Sequence, residues 1–206
     1  MDEKNFIVAL EDFRSARQQA AVQELMARLT GKSVALLSFE EVRRKLRASA
    51  MSERGLLEIP LDAIVGTESR DADFTRSFFP RDTASEQRWA RVKTASTDLN
   101  ATGLAPIQVY KIGEAYFVRD GHHRVSVARQ LNSPTISAYV TEVQTRVPLT
   151  PDVQPDELII KAEYAAFLEE TNLDQLRPNV DLGVSQPGQY DKLREFIEVH
   201  GYVTET

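Results

Sequence analysis

Six consecutive residues concentrate the chemistry of this chain: Arg119-Asp120-Gly121-His122-His123-Arg124. They bring together two arginines, a carboxylate, a glycine and two of the 3 histidines in the 206-residue sequence. Such a set suits an anion. The Arg124 guanidinium offers a planar fork that matches phosphate oxygens. Imidazole rings donate hydrogen bonds and change charge near neutral pH. Gly121 has no Cβ, so a phosphate can come close to the backbone N–H groups. Asp120 could hold Mg²⁺, orient a histidine or accept a proton. The same residues also have a plainer reading. Glycine is common at a strand-to-helix turn, Asp120 could cap the helix, and one histidine could be a packed, hydrogen-bonded residue. Local chemistry alone leaves both readings open.

The flanking pattern decides what would hold this turn. Ile107-Gln108-Val109-Tyr110 and Ala115-Tyr116-Phe117-Val118 read as a hairpin across Lys111-Ile112-Gly113-Glu114. A helix from the turn to Leu131 follows, is broken by Asn132-Ser133-Pro134, and gives way to a strand from Ile136 to Val143. The six residues thus sit where a strand feeds a helix, at the positive end of the helix dipole. Leu56 to Leu61 predicts another short strand. Thr67 to Thr83 lacks periodicity and reads as a structured loop, long enough to suspect of function. Within it, Arg70, Arg76 and Arg81 could reach a phosphate or pair with Asp71, Asp73 and Asp82. Ala84 to Leu99 predicts a helix with Trp89 and Val92 on one side.

Upstream, Phe6, Leu10, Phe13, Arg17, Ala20, Ala21, Leu25 and Leu29 recur at three- and four-residue spacing, which predicts a helix over 5–29. Ser38-Phe39-Glu40-Glu41 is a capping-box pattern opening a second helix with Val42 and Leu46 inward. The basic stretch Arg43, Arg44, Lys45, Arg47 reads as a solvated face. Downstream, the proline-rich stretch from Val147 to Pro155 looks like a boundary. Two helices are expected after it, over 156–171 and 190–200. The chain divides on this reading into a helical arm (1–54), an α/β domain (55–146) and a helical extension (147–206). Apolar residues of the arm and extension, such as Phe6, Leu10, Phe13, Phe167 and Leu168, are expected to pack on the central domain.

Composition removes several function classes. With 0 cysteines, disulfides, thiolate zinc sites and cysteine nucleophiles are excluded. No run approaches the roughly 20 apolar residues of a membrane span, and no signal-peptide core opens the sequence, so a cytoplasmic protein is expected. The net charge of -6 is uneven. Residues 1–150 carry 21 Lys/Arg against 19 Asp/Glu, and residues 151–206 carry 4 against 12. An acidic extension on a near-neutral body argues against a general DNA binder, whose affinity comes from neutralised phosphates. The remaining histidine, His200, is given no role.

The order from Ile59-Pro60-Leu61-Asp62, through Asp120-Gly121-His122-His123-Arg124-Val125-Ser126-Val127-Ala128, to Ala138-Tyr139-Val140 resembles the ParB/sulfiredoxin superfamily. That resemblance spans most of 56–143 and leaves the helical additions outside it. It implies a small mixed sheet in an α/β (α+β) core, with Gly121, His122, His123 and Arg124 on nucleotide phosphates. The sulfiredoxin branch places its catalytic cysteine where His122 stands, so its redox chemistry is excluded here. The chromosome-partitioning branch uses CTP as a clamp ligand and carries a different turn; Arg70 resembles an arginine following its first strand. ParB-like free-serine kinases carry the Asp-Gly-His-His-Arg turn itself. That branch implies ATP or ADP with Mg²⁺, a small hydroxyl acceptor such as serine, and a carboxylate base. Glu68 matches the position of that base and Asp120 is the second candidate, although Gly66-Thr67-Glu68-Ser69-Arg70 departs from the kinase motif. A nuclease would need a cluster of carboxylates for metal, and Asp120 with distant acids does not supply one. The alternative is a nucleotide sensor or clamp without turnover, with the helical additions as homodimer or partner surfaces, or a ParB-type DNA-associated regulator.

Overall fold

The computed structural model describes residues 3–31, 33–69, 72–97, 103–178 and 180–204, with side chains through Val199. A six-stranded mixed sheet forms its centre, in the order β1-β3-β5-β4-β6-β2. The strands are β1 (Leu37–Ser38), β2 (Met51–Pro60), β3 (Ile64–Thr67), β4 (Ile107–Ile112), β5 (Ala115–Asp120) and β6 (Thr135–Val143). The helices are α1 (Glu3–Thr30), α2 (Phe39–Lys45), α3 (Glu86–Thr97), α4 (His122–Gln130), α5 (Glu157–Thr171), α6 (Leu173–Leu176) and α7 (Gln189–Thr204). The α/β class read from the sequence is the class observed.

Strand alternation sends the two rows of each strand into separate cores. Ile107, Val109, Val118, Ala138 and Val140 join Phe13, Trp89, Val125 and Val127 on the face covered by α1, α3 and α4. Ile112, Phe117 and Val143 join Phe39, Val42, Leu158, Phe167 and Tyr190 on the face covered by α2, α5 and α7. Both faces are therefore packed, and the segment after Val143 is part of the second core. Arg76 fastens it further by donating to the carbonyls of Pro151 (3.1 Å) and Val153.

The hairpin falls where the sequence puts it, with β4 and β5 antiparallel. Ser38 accepts from the Glu41 N–H at 3.4 Å, and Val42 and Leu46 are buried, as the capping-box reading requires. Arg43 and Lys45 pair with Glu40 and Glu41, and Arg47 with Glu169, which is what a solvated basic face does. Several features differ from the sequence reading. The strand placed at Leu56 begins at Met51, and the short β1 and β3 were not assigned as strands. β2 draws its start from residues read as part of the arm, because its pairing with β6 continues back to Met51 opposite Val143. The second helix ends at Lys45, with Arg47 at φ 51° breaking it.

A further difference concerns α1. Its buried residues are Ala9, Phe13, Ala16 and Ala20, whereas Leu25 and Leu29 are 58% and 74% exposed. The helix has 28 residues and its partner α3 only 12, so its second half extends past the surface that would bury those leucines. Phe13 meets Trp89 edge-to-face at 5.7 Å where the two helices do touch.

Candidate functional site

The end of β5, the turn and the first residues of α4 bound a cavity of about 260 Å³. It is lined by Ser69, Arg88, Val92 and the unbroken run from Arg119 to Arg124. Gly121 is the N-cap of α4, at φ 107° and ψ 20°. Only glycine takes that conformation without strain. A Cβ here would also stand 2.4 Å from Ile107 Cγ2 and 2.9 Å from its Cβ. The glycine thus lets β5 turn into α4 hard against β4, and no side chain caps the helix. The first-turn N–H groups have no partner inside the helix and face the cavity end of its dipole.

The two histidines are anchored rather than splayed. His122 and His123 are 5% and 6% exposed. His122 Nε2 lies 2.7 Å from Thr67 Oγ1, which is also 3.3 Å from the Val118 carbonyl and accepts the Ser69 N–H at 3.1 Å. In one tautomer the ring donates to Thr67 and the hydroxyl donates onward to Val118; in the other the hydroxyl donates to the ring. Phe74 stacks on His122 at 6.2 Å and meets His123 edge-on at 5.3 Å. This accounts for the long loop after Thr67: Phe74 and Phe78 plug the core behind the histidines.

Arg124 donates to the carbonyls of Ala105 (3.2 Å) and Pro106 and to the Asp120 carboxylate. It ties the approach to β4 onto the turn, with a side chain 21% exposed beside an Asp120 that is 55% exposed. Arg88 comes from α3, one turn before Val92. It is exposed and forms no ion pair among the described residues. Sequence reasoning missed Arg88, Arg119 as a cavity wall, and Ser69. The only signal for Arg88 was its helical spacing to Val92, which is uninformative until α3 is known to lie beside α4.

A search of family models finds no match, and a search of curated proteins finds none either. Among solved structures, the chain is similar to the crystal structure of sulfiredoxin from Arabidopsis thaliana, at 18% identity and a TM-score of 0.33. The similarity covers 43% of this chain and 86% of that one.

The remaining expectations about the site sort by position. Glu68 follows β3. Its carboxylate accepts from Tyr110 Oη at 3.4 Å and lies 3.9 Å from Arg119 Nε, and Glu68 is not among the cavity's lining residues. Tyr110 stacks on Phe39 at 4.1 Å, and its hydroxyl pKa is raised, first by burial and then by the Glu68 charge. Arg81 pairs with Glu24 at 2.8 Å. Arg70 lies outside the described residues. For Mg²⁺, the cavity offers one carboxylate, Asp120, and the described residues contain no cluster of three acids or histidines able to cage a metal. That donor set fits a Mg²⁺ ion held mainly by phosphate oxygens and water, with Asp120 as a single protein ligand. Among the described residues no helix is long and apolar enough to cross a membrane.

Proposed function

We propose that this protein binds a nucleoside di- or triphosphate at the Gly121 turn. The observation that carries the reading is the convergence of the uncapped α4 N-terminus with Arg88, Arg119 and Arg124 on one cavity. Three guanidinium groups and a row of backbone donors suit several phosphate oxygens at once. His122 and His123 contribute backbone N–H groups while their rings fix the turn from behind. Arg124 meets phosphate by exchanging its Asp120 contact, and the carboxylate so released is placed to hold Mg²⁺.

Phosphotransfer to a small hydroxyl compound such as free serine is the second reading, and the exposed Asp120 carboxylate inside the cavity favours it. Asp120 replaces Glu68 as the base of that reaction, since Glu68 faces Tyr110 and Arg119 instead. Without turnover, the same site acts as a nucleotide sensor or clamp.

Calorimetric titration of the full chain with ATP, ADP, CTP and GTP in Mg²⁺ tests the reading. Arg124→Ala is expected to weaken binding by about 1.5–3 kcal/mol, the scale of a hydrogen bond to a charged group. Arg88→Ala is the cleaner variant, because that exposed side chain forms no ion pair among the described residues. It should weaken binding comparably and leave the thermal midpoint unchanged. Wild-type affinity in both variants would remove the nucleotide from this cavity. Consumption of ATP or ADP only when serine is added would select the kinase reading over the sensor.

A further inference from the structure

Arg119 lines a second cavity as well, also of about 260 Å³. Its walls include Glu53, Gln108, Arg119, Tyr139 and Thr141. The reason lies in the pairing of β4 with β5. Gln108 is opposite Asp120 and Val109 opposite Val118, so Arg119 is a bulged residue without a cross-strand partner. Bulges re-aim a side chain, and this one directs Arg119 to the strand end between the two cavities. A second bulge, between Glu53 and Gly55 on β2, borders the same cavity. The Tyr110 ring lies 5.8 Å from the Arg119 guanidinium and Glu68 is 3.9 Å from it, so both position it.

Register sets the distance between the cavities. Asp120, Gln108 and Tyr139 stand opposite one another on adjacent strands. Two strand spacings of about 4.8 Å each separate the backbones of Asp120 and Tyr139 by roughly 10 Å, on the scale of one nucleotide. Tyr139 is 54% exposed. Its ring offers a stacking surface, and the Gln108 amide offers one donor and one acceptor side by side. Glu53 opposes phosphate in this half of the site and accepts from an amino or hydroxyl group. The amide can pair with the edge of any base, and the Glu53 acceptor favours one that carries an exocyclic amino group, such as adenine or cytosine.

Building on the phosphate reading above, we infer that Tyr139 and Gln108 form the base-binding half of the same site. Arg119 spans the two halves. The ligand is then a nucleoside phosphate with an amino-bearing base, and simple phosphate esters or pyrophosphate fill only part of the site.

The test compares pyrophosphate, ADP and CDP, each with Mg²⁺, on the full-length wild type, Tyr139→Ala and Gln108→Ala. Both side chains are exposed, and matching thermal midpoints confirm that the variants fold. The expected result is that ADP or CDP binds the wild type more tightly than pyrophosphate does. Tyr139→Ala should then lose roughly 5- to 100-fold for the nucleotide, the scale of one stacked base, and nothing for pyrophosphate. Gln108→Ala should act in the same direction. Nucleotide binding unchanged in both variants overturns the base subsite and leaves the phosphate reading standing if pyrophosphate binds. Binding of neither pyrophosphate nor nucleotide to the wild type overturns both.

Discussion

At the scale of single residues, Gly121 and Arg124 carry two demands each. Gly121 must have φ 107° and must also lie where a Cβ would collide with Ile107. Gly121→Ala is therefore expected to cost at least about 2 kcal/mol, combining left-handed strain with overpacking. A shift of the urea midpoint at constant m-value would show it; an unchanged midpoint would mean that the turn relaxes without strain. The sequence offers Arg124 as a candidate phosphate ligand, but does not show its hold on Ala105 and Pro106, since both lie nearly twenty residues away. Its loss should therefore lower stability as well as affinity. That coupling makes Arg88→Ala the more informative measurement.

Between elements, the site depends on how α3 lies against α4. Trp89 Nε1 donates to Ser126 Oγ at 2.8 Å, and both residues are buried. This contact sets the distance between Arg88 on α3 and the turn that opens α4. Trp89→Phe removes the donor and leaves the Ser126 hydroxyl without it, at about 1–3 kcal/mol. Chemical denaturation would measure that cost. Nucleotide affinity should fall with it, because Arg88 loses its fixed position. The helices themselves were readable from spacing and caps: Ser38, Val42, Trp89 and Val92 stand where the pattern puts them. The short strands β1 and β3 were not. Two and four residues carry too little alternation to be recognised, and only their pairing with each other and with β5 makes them strands.

For the whole molecule, the extension after Val143 is structural. Val147, Leu149, Val153, Leu158, Phe167 and Leu168 are buried in the core beneath the sheet. A chain ending at Arg146 should fail to fold cooperatively, and a sharp thermal transition in that fragment would contradict the role. Tyr190, at the start of α7, stacks on Tyr164 at 5.0 Å and donates to the Leu182 carbonyl at 3.0 Å. Burial, with the neighbouring Tyr164 next in weight, pushes its hydroxyl up to about 12. Its folded pKa lies above the unfolded value near 10, so its neutral form stabilises the fold fully below about pH 10. That contribution fades as pH rises from about 10 to about 12. Tyr190→Phe should flatten this alkaline loss while lowering stability at neutral pH by about 1 kcal/mol for the hydrogen bond. Thermal melts across pH 8–12 would show both effects.

The sequence by itself determined the hairpin, the strand-to-helix turn at Gly121, the helix caps and the absence of thiol chemistry. These follow from local rules of periodicity, backbone freedom and residue type. Only the tertiary structure decided that His122 and His123 face inward against Thr67 and Phe74, that Glu68 serves Arg119, and that Arg88 joins the cavity. It also decided that Arg119 is bulged out of register and lines two cavities. Each of these depends on register and packing between segments far apart in the chain, where a shift of one residue reverses the face a side chain occupies.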